Sequence, residues 1–159
     1  MLDRITDLLL FYPLLLFSLS VHEAAHAWTS NHFGDSTAKD LGRITINPLP
    51  HMDIVGTAFL PILGILTGAP IIGWGKPVPV NPYNLEDERK DSLWIAAAGP
   101  ISNVVMALGF AAICWALLYL IPYLPLNLVQ AGGFAATVVK ALFSIGQMGV
   151  ILNLVLAVF

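Results

Sequence analysis

The stretch Leu8-Leu9-Leu10-Phe11-Tyr12-Pro13-Leu14-Leu15-Leu16-Phe17-Ser18-Leu19-Ser20-Val21-His22-Glu23-Ala24-Ala25-His26-Ala27-Trp28 decides how the chain is read. It is long and apolar enough to cross a bilayer, which takes roughly 20 mainly apolar residues for about 30 Å of hydrocarbon. Yet His22, Glu23 and His26 crowd into little more than one turn near its end. Outward from it lie three more apolar stretches. Residues 54–74 are broken by Pro61, Gly64, Gly68 and Pro70, residues 92–121 are the most uniform, and residues 138–159 run to the last position. Lipid offers no partner for free backbone N–H and C=O groups, so such stretches read as helices. The expected fold class is an all-α membrane protein. It is a polytopic helical bundle of about four hydrophobic spans, with short extended or β segments in the connecting loops.

The whole chain agrees. Of 159 residues, 57% are hydrophobic and 11% charged, against about 25% charged in a soluble domain. That leaves too little polar surface to cover a water-soluble globule, and places residues 1–159 in lipid as one membrane-embedded domain. The net charge of −3 gives no basic footprint, so no nucleic-acid partner is expected. The single cysteine, Cys114, rules out a disulfide within the chain and a four-cysteine metal site. Met1-Leu2-Asp3-Arg4 lacks a basic leader region, so the first apolar stretch is read as retained rather than cleaved.

The connections are informative. Gly42-Arg43-Ile44-Thr45-Ile46-Asn47-Pro48 alternates between turn residues, the pattern of a short strand. Lys76-Pro77-Val78-Pro79-Val80-Asn81-Pro82 cannot form a helix interior or a central strand, but suits an edge strand. With four spans, Arg4, Lys76, Arg89 and Lys90 share one side while Lys39 and Arg43 share the other. That balance sets no orientation.

His-Glu-x-x-His on a helix stacks positions i and i+4 on one face. His22 and His26 can then offer imidazole nitrogens to one Zn²⁺ at about 2.0–2.1 Å, with Glu23 beside them to take a proton from an activated water. The intramembrane setting sharpens the pattern. Ionisable groups inside a span are costly unless paired, ligated or hydrated, and one dication compensates all three. The alternative is a polar helix end lying just outside the hydrocarbon. Such a site needs a third protein ligand. Asp35, Asp40, Asp53, Glu86, Asp87, Glu88, Asp91, His32 and His51 are available, and the sequence singles out none.

Four motifs together resemble the site-2 proteases, the intramembrane zinc metalloproteases, most closely the short bacterial type without a PDZ domain. They are Val21-His22-Glu23-Ala24-Ala25-His26-Ala27, Gly42-Arg43-Ile44-Thr45-Ile46-Asn47-Pro48, Pro77-Val78-Pro79-Val80-Asn81-Pro82 and Ala98-Gly99-Pro100-Ile101-Ser102-Asn103. The resemblance implies zinc held by His22 and His26, and Glu23 as general base. It also implies that Asn103 enters the site from the third stretch, near the substrate carbonyl or the catalytic glutamate. Val78, Pro79, Val80 and Asn81 would pair with an unwound substrate segment by strand addition. Transmembrane protein substrates, the lipid bilayer as surroundings and a multi-pass location in a bacterial inner membrane are further implications. In this family the third ligand is an aspartate in a Leu-Asp-Gly motif on a later span. Here the chain ends at Asn153-Leu154-Val155-Leu156-Ala157-Val158-Phe159, about where that segment would begin. The expectation is a chain incomplete at its C-terminus, and a poor or inactive protease unless another segment supplies the aspartate. Two other classes stay open: an inactive homologue that binds membrane partners, and a metal transporter, which usually spreads its ligands over several spans.

Overall fold

The computed structural model describes residues 2–68, 73–123 and 133–158. Three helices are long and apolar enough to cross a membrane: α1 (Leu2–His32), α4 (Glu88–Leu120) and α5 (Phe134–Leu156). Between α1 and α4 lie the single turn α2 (Thr37–Asp40) and the short α3 (Leu60–Thr67). α4 packs against both α1 and α5, which also touch each other.

The expectation of about four spans is met by three among the described residues. Residues 54–68, the described first part of the expected second span, do not reach spanning length. A π-helical stretch, Ile54–Phe59, leads into α3, of 6 and 8 residues respectively. Together these reach roughly 21 Å at about 1.5 Å per residue, short of the hydrocarbon thickness. Pro61 falls at the start of α3, and Gly68 ends it in the left-handed conformation (φ 75°). Residues 69–72, including Pro70, lie outside the described residues.

The strand expected at residues 42–48 is also absent; those residues form turns and bends, and no strand occurs among the described residues. The reason is local. Thr45 Oγ1 accepts from the Asn47 N–H and Asn47 Oδ1 accepts from the Leu49 N–H, so side chains take up the groups a ladder would use. Residues 73–81 form neither helix nor strand, and Asn81 has an extended backbone. Prolines at 77 and 79 remove alternate donors.

Helix packing follows membrane rules, in which close van der Waals contact replaces the expulsion of water. Leu14, Leu15 and Leu19 of α1 meet Leu152 and Leu156 of α5 in the buried core, flanked by Phe11, Phe110 and Met148. Two glycines of α5 let it approach α4. A Cβ on Gly146 would lie 2.4 Å from Cys114 Sγ, and one on Gly149 2.5 Å from the Phe110 ring. Asn153, fully buried, donates through Nδ2 to Ser18 Oγ (3.1 Å) and to the Gly149 carbonyl (2.8 Å). This ties α5 to the motif helix one turn before His22.

Candidate active site

α1 stays helical through the motif, so His22 and His26 stack on one face as the spacing predicts. Their Nε2 atoms converge to 3.0 Å. Two ligands of one tetrahedral zinc at about 2.0–2.1 Å would stand roughly 3.3 Å apart, so the pair is close to the required bite. Each ring is held at its other nitrogen. His26 Nδ1 donates to the Ile95 carbonyl at 2.6 Å. His22 Nδ1 accepts from Asn103 Nδ2 at 3.0 Å, and Asn103 Oδ1 is buried without a partner. Both partners come from α4, where Pro100 lacks the N–H that would bond the Ala96 carbonyl, loosening that turn beside the site.

Gly99 is what lets α4 come so near. A Cβ there would stand 2.3 Å from His26 Nε2 and 2.5 Å from His22 Nε2, in the space at which both nitrogens aim. The donor pair and this cradle fit a zinc ion. Among the described residues no third His, Cys, Asp or Glu joins them in a metal-holding group. Five of the other candidates are engaged elsewhere. Asp35 and His51 are buried in loop contacts, Asp53 caps the Ile54 turn, His32 stacks on Trp28, and Asp91 accepts from the Asp87 N–H.

Glu23 is buried, 8% exposed. It lines a cavity of about 250 Å³ together with His26, Pro77, Val78, Val80 and Ile95. The Val78 backbone amide is turned toward the Glu23 carboxylate. On the other side a larger apolar groove of about 540 Å³ reaches Glu23 and His22 between Leu15 and Leu19 of α1 and Leu152 and Val155 of α5.

The structure thus brings His22, Glu23, His26, Asn103, Val78 and Val80 to one place, with Pro79 and Asn81 in the same segment. Among the described contacts Asn103 meets His22. Asn103 is fully buried. Sequence reading gave Gly99 and Arg43 no role of their own beyond the motifs that contain them, and named Asp35 only among the possible metal ligands. A glycine before a proline inside an apolar span was the available signal for the first.

Two curated proteins match the chain. A protein of Bacillus subtilis (strain 168) named as a candidate zinc metalloprotease, YwhC, is 38% identical over 114 residues, covering 65% of this chain and 49% of its own length. A second, Rip2 of Mycolicibacterium smegmatis (strain ATCC 700084 / mc(2)155), carries the same kind of name. It is 34% identical over 104 residues, covering 63% of this chain and 39% of its own length. The chain is a homologue of both. The likeness read from four short motifs therefore extends across most of the sequence. The chain spans about half the length, or less, of these curated relatives. No family model and no solved structure matches it.

The contact between Asn103 and His22 has a consequence for metal binding. A histidine ligating through Nε2 must carry its proton on Nδ1, and needs an acceptor there. Asn103 presents Nδ2 to that nitrogen here, and its unpartnered Oδ1 becomes the acceptor once the amide turns over by 180°. Asn103→Leu is expected to weaken zinc binding about 10–100-fold, read by competition with a fluorescent chelator. Unchanged affinity would show that the amide does not orient the ring.

Proposed function

We propose that this chain is the core of a multi-pass membrane zinc metalloprotease that hydrolyses peptide bonds in or near transmembrane segments of other proteins. One observation carries the reading: two imidazole nitrogens stand 3.0 Å apart within an apolar helix, beside a buried glutamate, and Glu23 and His26 line a cavity whose other walls include Pro77, Val78 and Val80. The names of the two homologues support the metal and the hydrolysis of peptides. The three helices support the membrane setting, and an inner membrane is part of the proposal.

His22 and His26 would hold zinc through Nε2, and zinc bound there would polarise a water and a substrate carbonyl as a Lewis acid. Glu23 takes the proton from the attacking water and delivers it to the leaving amine. Ile95 and Asn103 hold the two rings in their ligating orientation. Residues 78–81 present an open edge to an unwound stretch of substrate, because a peptide bond inside a helix is shielded from attack. The apolar walls of the cavity suit aliphatic side chains, as expected of a membrane-derived substrate.

A second reading, an inactive homologue that binds membrane partners, draws on the lack of a third acidic ligand among the described residues. Metal removal tests the proposal. The full-length protein in detergent is expected to cut a single-span reporter within its transmembrane segment, to stop when treated with phenanthroline, and to resume on adding equimolar zinc. Cleavage indifferent to the chelator would overturn the reading, and capture of the reporter without cleavage would favour the second.

A further inference from the structure

Two buried charged residues outside the His-Glu motif hold the two ends of the segment 76–81. Arg43 is 4% exposed. Its guanidinium donates to the Pro50 carbonyl (2.6 Å), to the Pro77 carbonyl (3.1 Å) and to the Lys76 carbonyl. The Nε–H stays buried without a partner, so the carbonyls dictate how the group lies. The Lys76 N–H adds a bond to the His51 carbonyl at 2.8 Å. At the other end Asp35 is 0% exposed. Its carboxylate accepts from the Asn81 N–H (2.8 Å) and Asn84 Nδ2 (2.9 Å). It also accepts from Ser30 Oγ (2.9 Å), in the last turns of the motif helix, and from the Thr37 N–H and hydroxyl.

Arg43 and Asp35 do not pair with each other; the ion pair among the described residues is Lys90–Asp87. Arg43 is instead balanced by backbone carbonyls and Asp35 by backbone N–H groups, two hydroxyls and an amide, and charge-assisted hydrogen bonds of this kind are stronger and more directional than neutral ones. Burial acts to raise the Asp35 pKa, yet the bonds from Thr37, Asn84 and Asn81 more than offset it and hold the group below the usual carboxylate range. Arg43 also attracts the Glu23 carboxylate. Between the two anchors, Val78 and Val80 line the cavity shared with Glu23 and His26.

We propose that Arg43 and Asp35 are positioning residues, which stretch residues 76–81 between two fixed points and so set the distance from the substrate-pairing edge to Glu23. This rests on the proteolytic reading above. The function served is substrate registration: the edge has no neighbouring strand to keep it straight, so these two side chains do.

The test uses Arg43→Gln, Asp35→Asn and the milder Arg43→Lys in the full-length protein. Hydrogen exchange of peptides covering residues 76–84 is expected to quicken by about tenfold or more in Arg43→Gln and Asp35→Asn, and less in Arg43→Lys, with α4 and α5 unchanged. On a cleavable reporter, KM should rise about tenfold while kcat stays within roughly twofold, the signature of lost uniform binding. Zinc content should not change. Unaltered exchange at 76–84, exchange that rises equally throughout α4 and α5, or a fall in kcat at constant KM would each overturn the proposal. The exchange measurement needs no catalysis, so it judges the anchors even if metal removal shows that the protein is not a protease.

Discussion

Replacing Gly99 by alanine is expected to leave the protein without metal and without cleavage activity. The added methyl would stand 2.3 and 2.5 Å from the two Nε2 atoms, far inside van der Waals contact and where both lone pairs point. Neither ring can retreat cheaply, since His26 is bonded to the Ile95 carbonyl and His22 to Asn103, both on the same helix as Gly99. α4 would have to withdraw from α1, carrying those partners with it. Zinc measured by atomic absorption on the purified variant should fall to background, with helical content by circular dichroism unchanged. Normal zinc content in Gly99→Ala would mean that the rings do not ligate in this arrangement.

Glu23→Gln separates chemistry from binding. The substitution keeps the size and the cavity wall but removes the ability to take a proton. General acid–base groups contribute about 10²–10⁴-fold, so kcat is expected to drop by about 10³-fold, or roughly 4 kcal/mol of barrier. Zinc content should stay at the wild-type level, because His22 and His26 are untouched. Single-turnover assays on a reporter read this directly. A variant that cuts at the wild-type rate would remove Glu23 from the chemistry, whereas a wild-type protein that binds the reporter and never cuts it would favour the inactive homologue.

Much of this arrangement was legible because it repeats at short range. The His-Glu-x-x-His spacing needs only the helical period to place two rings on one face. The uniform apolar stretches at 92–121 and 138–159 needed only their length to be read as α4 and α5. What escaped reading depends on contacts between distant positions. Gly99 meets rings more than 70 residues earlier in the chain, and Arg43 binds carbonyls 33 and 34 positions later. Such pairings leave no periodic mark. The described part of the second stretch is shorter than a span for the opposite reason: its composition was apolar enough, but Gly68 ends the helix in the left-handed conformation, and hydropathy does not weigh that. The strand expected at 42–48 failed because Thr45 and Asn47 satisfy neighbouring backbone groups themselves.

The alternating prolines have a consequence for self-association. An unpaired strand margin in an apolar protein invites another copy to zip onto it. Here positions 77, 79 and 82 have no N–H at all, and those of Lys76 and Asn81 are already bonded within the chain. Two such margins laid together would find few donors to exchange, so crowding in the bilayer gives neighbouring molecules little reason to aggregate through it.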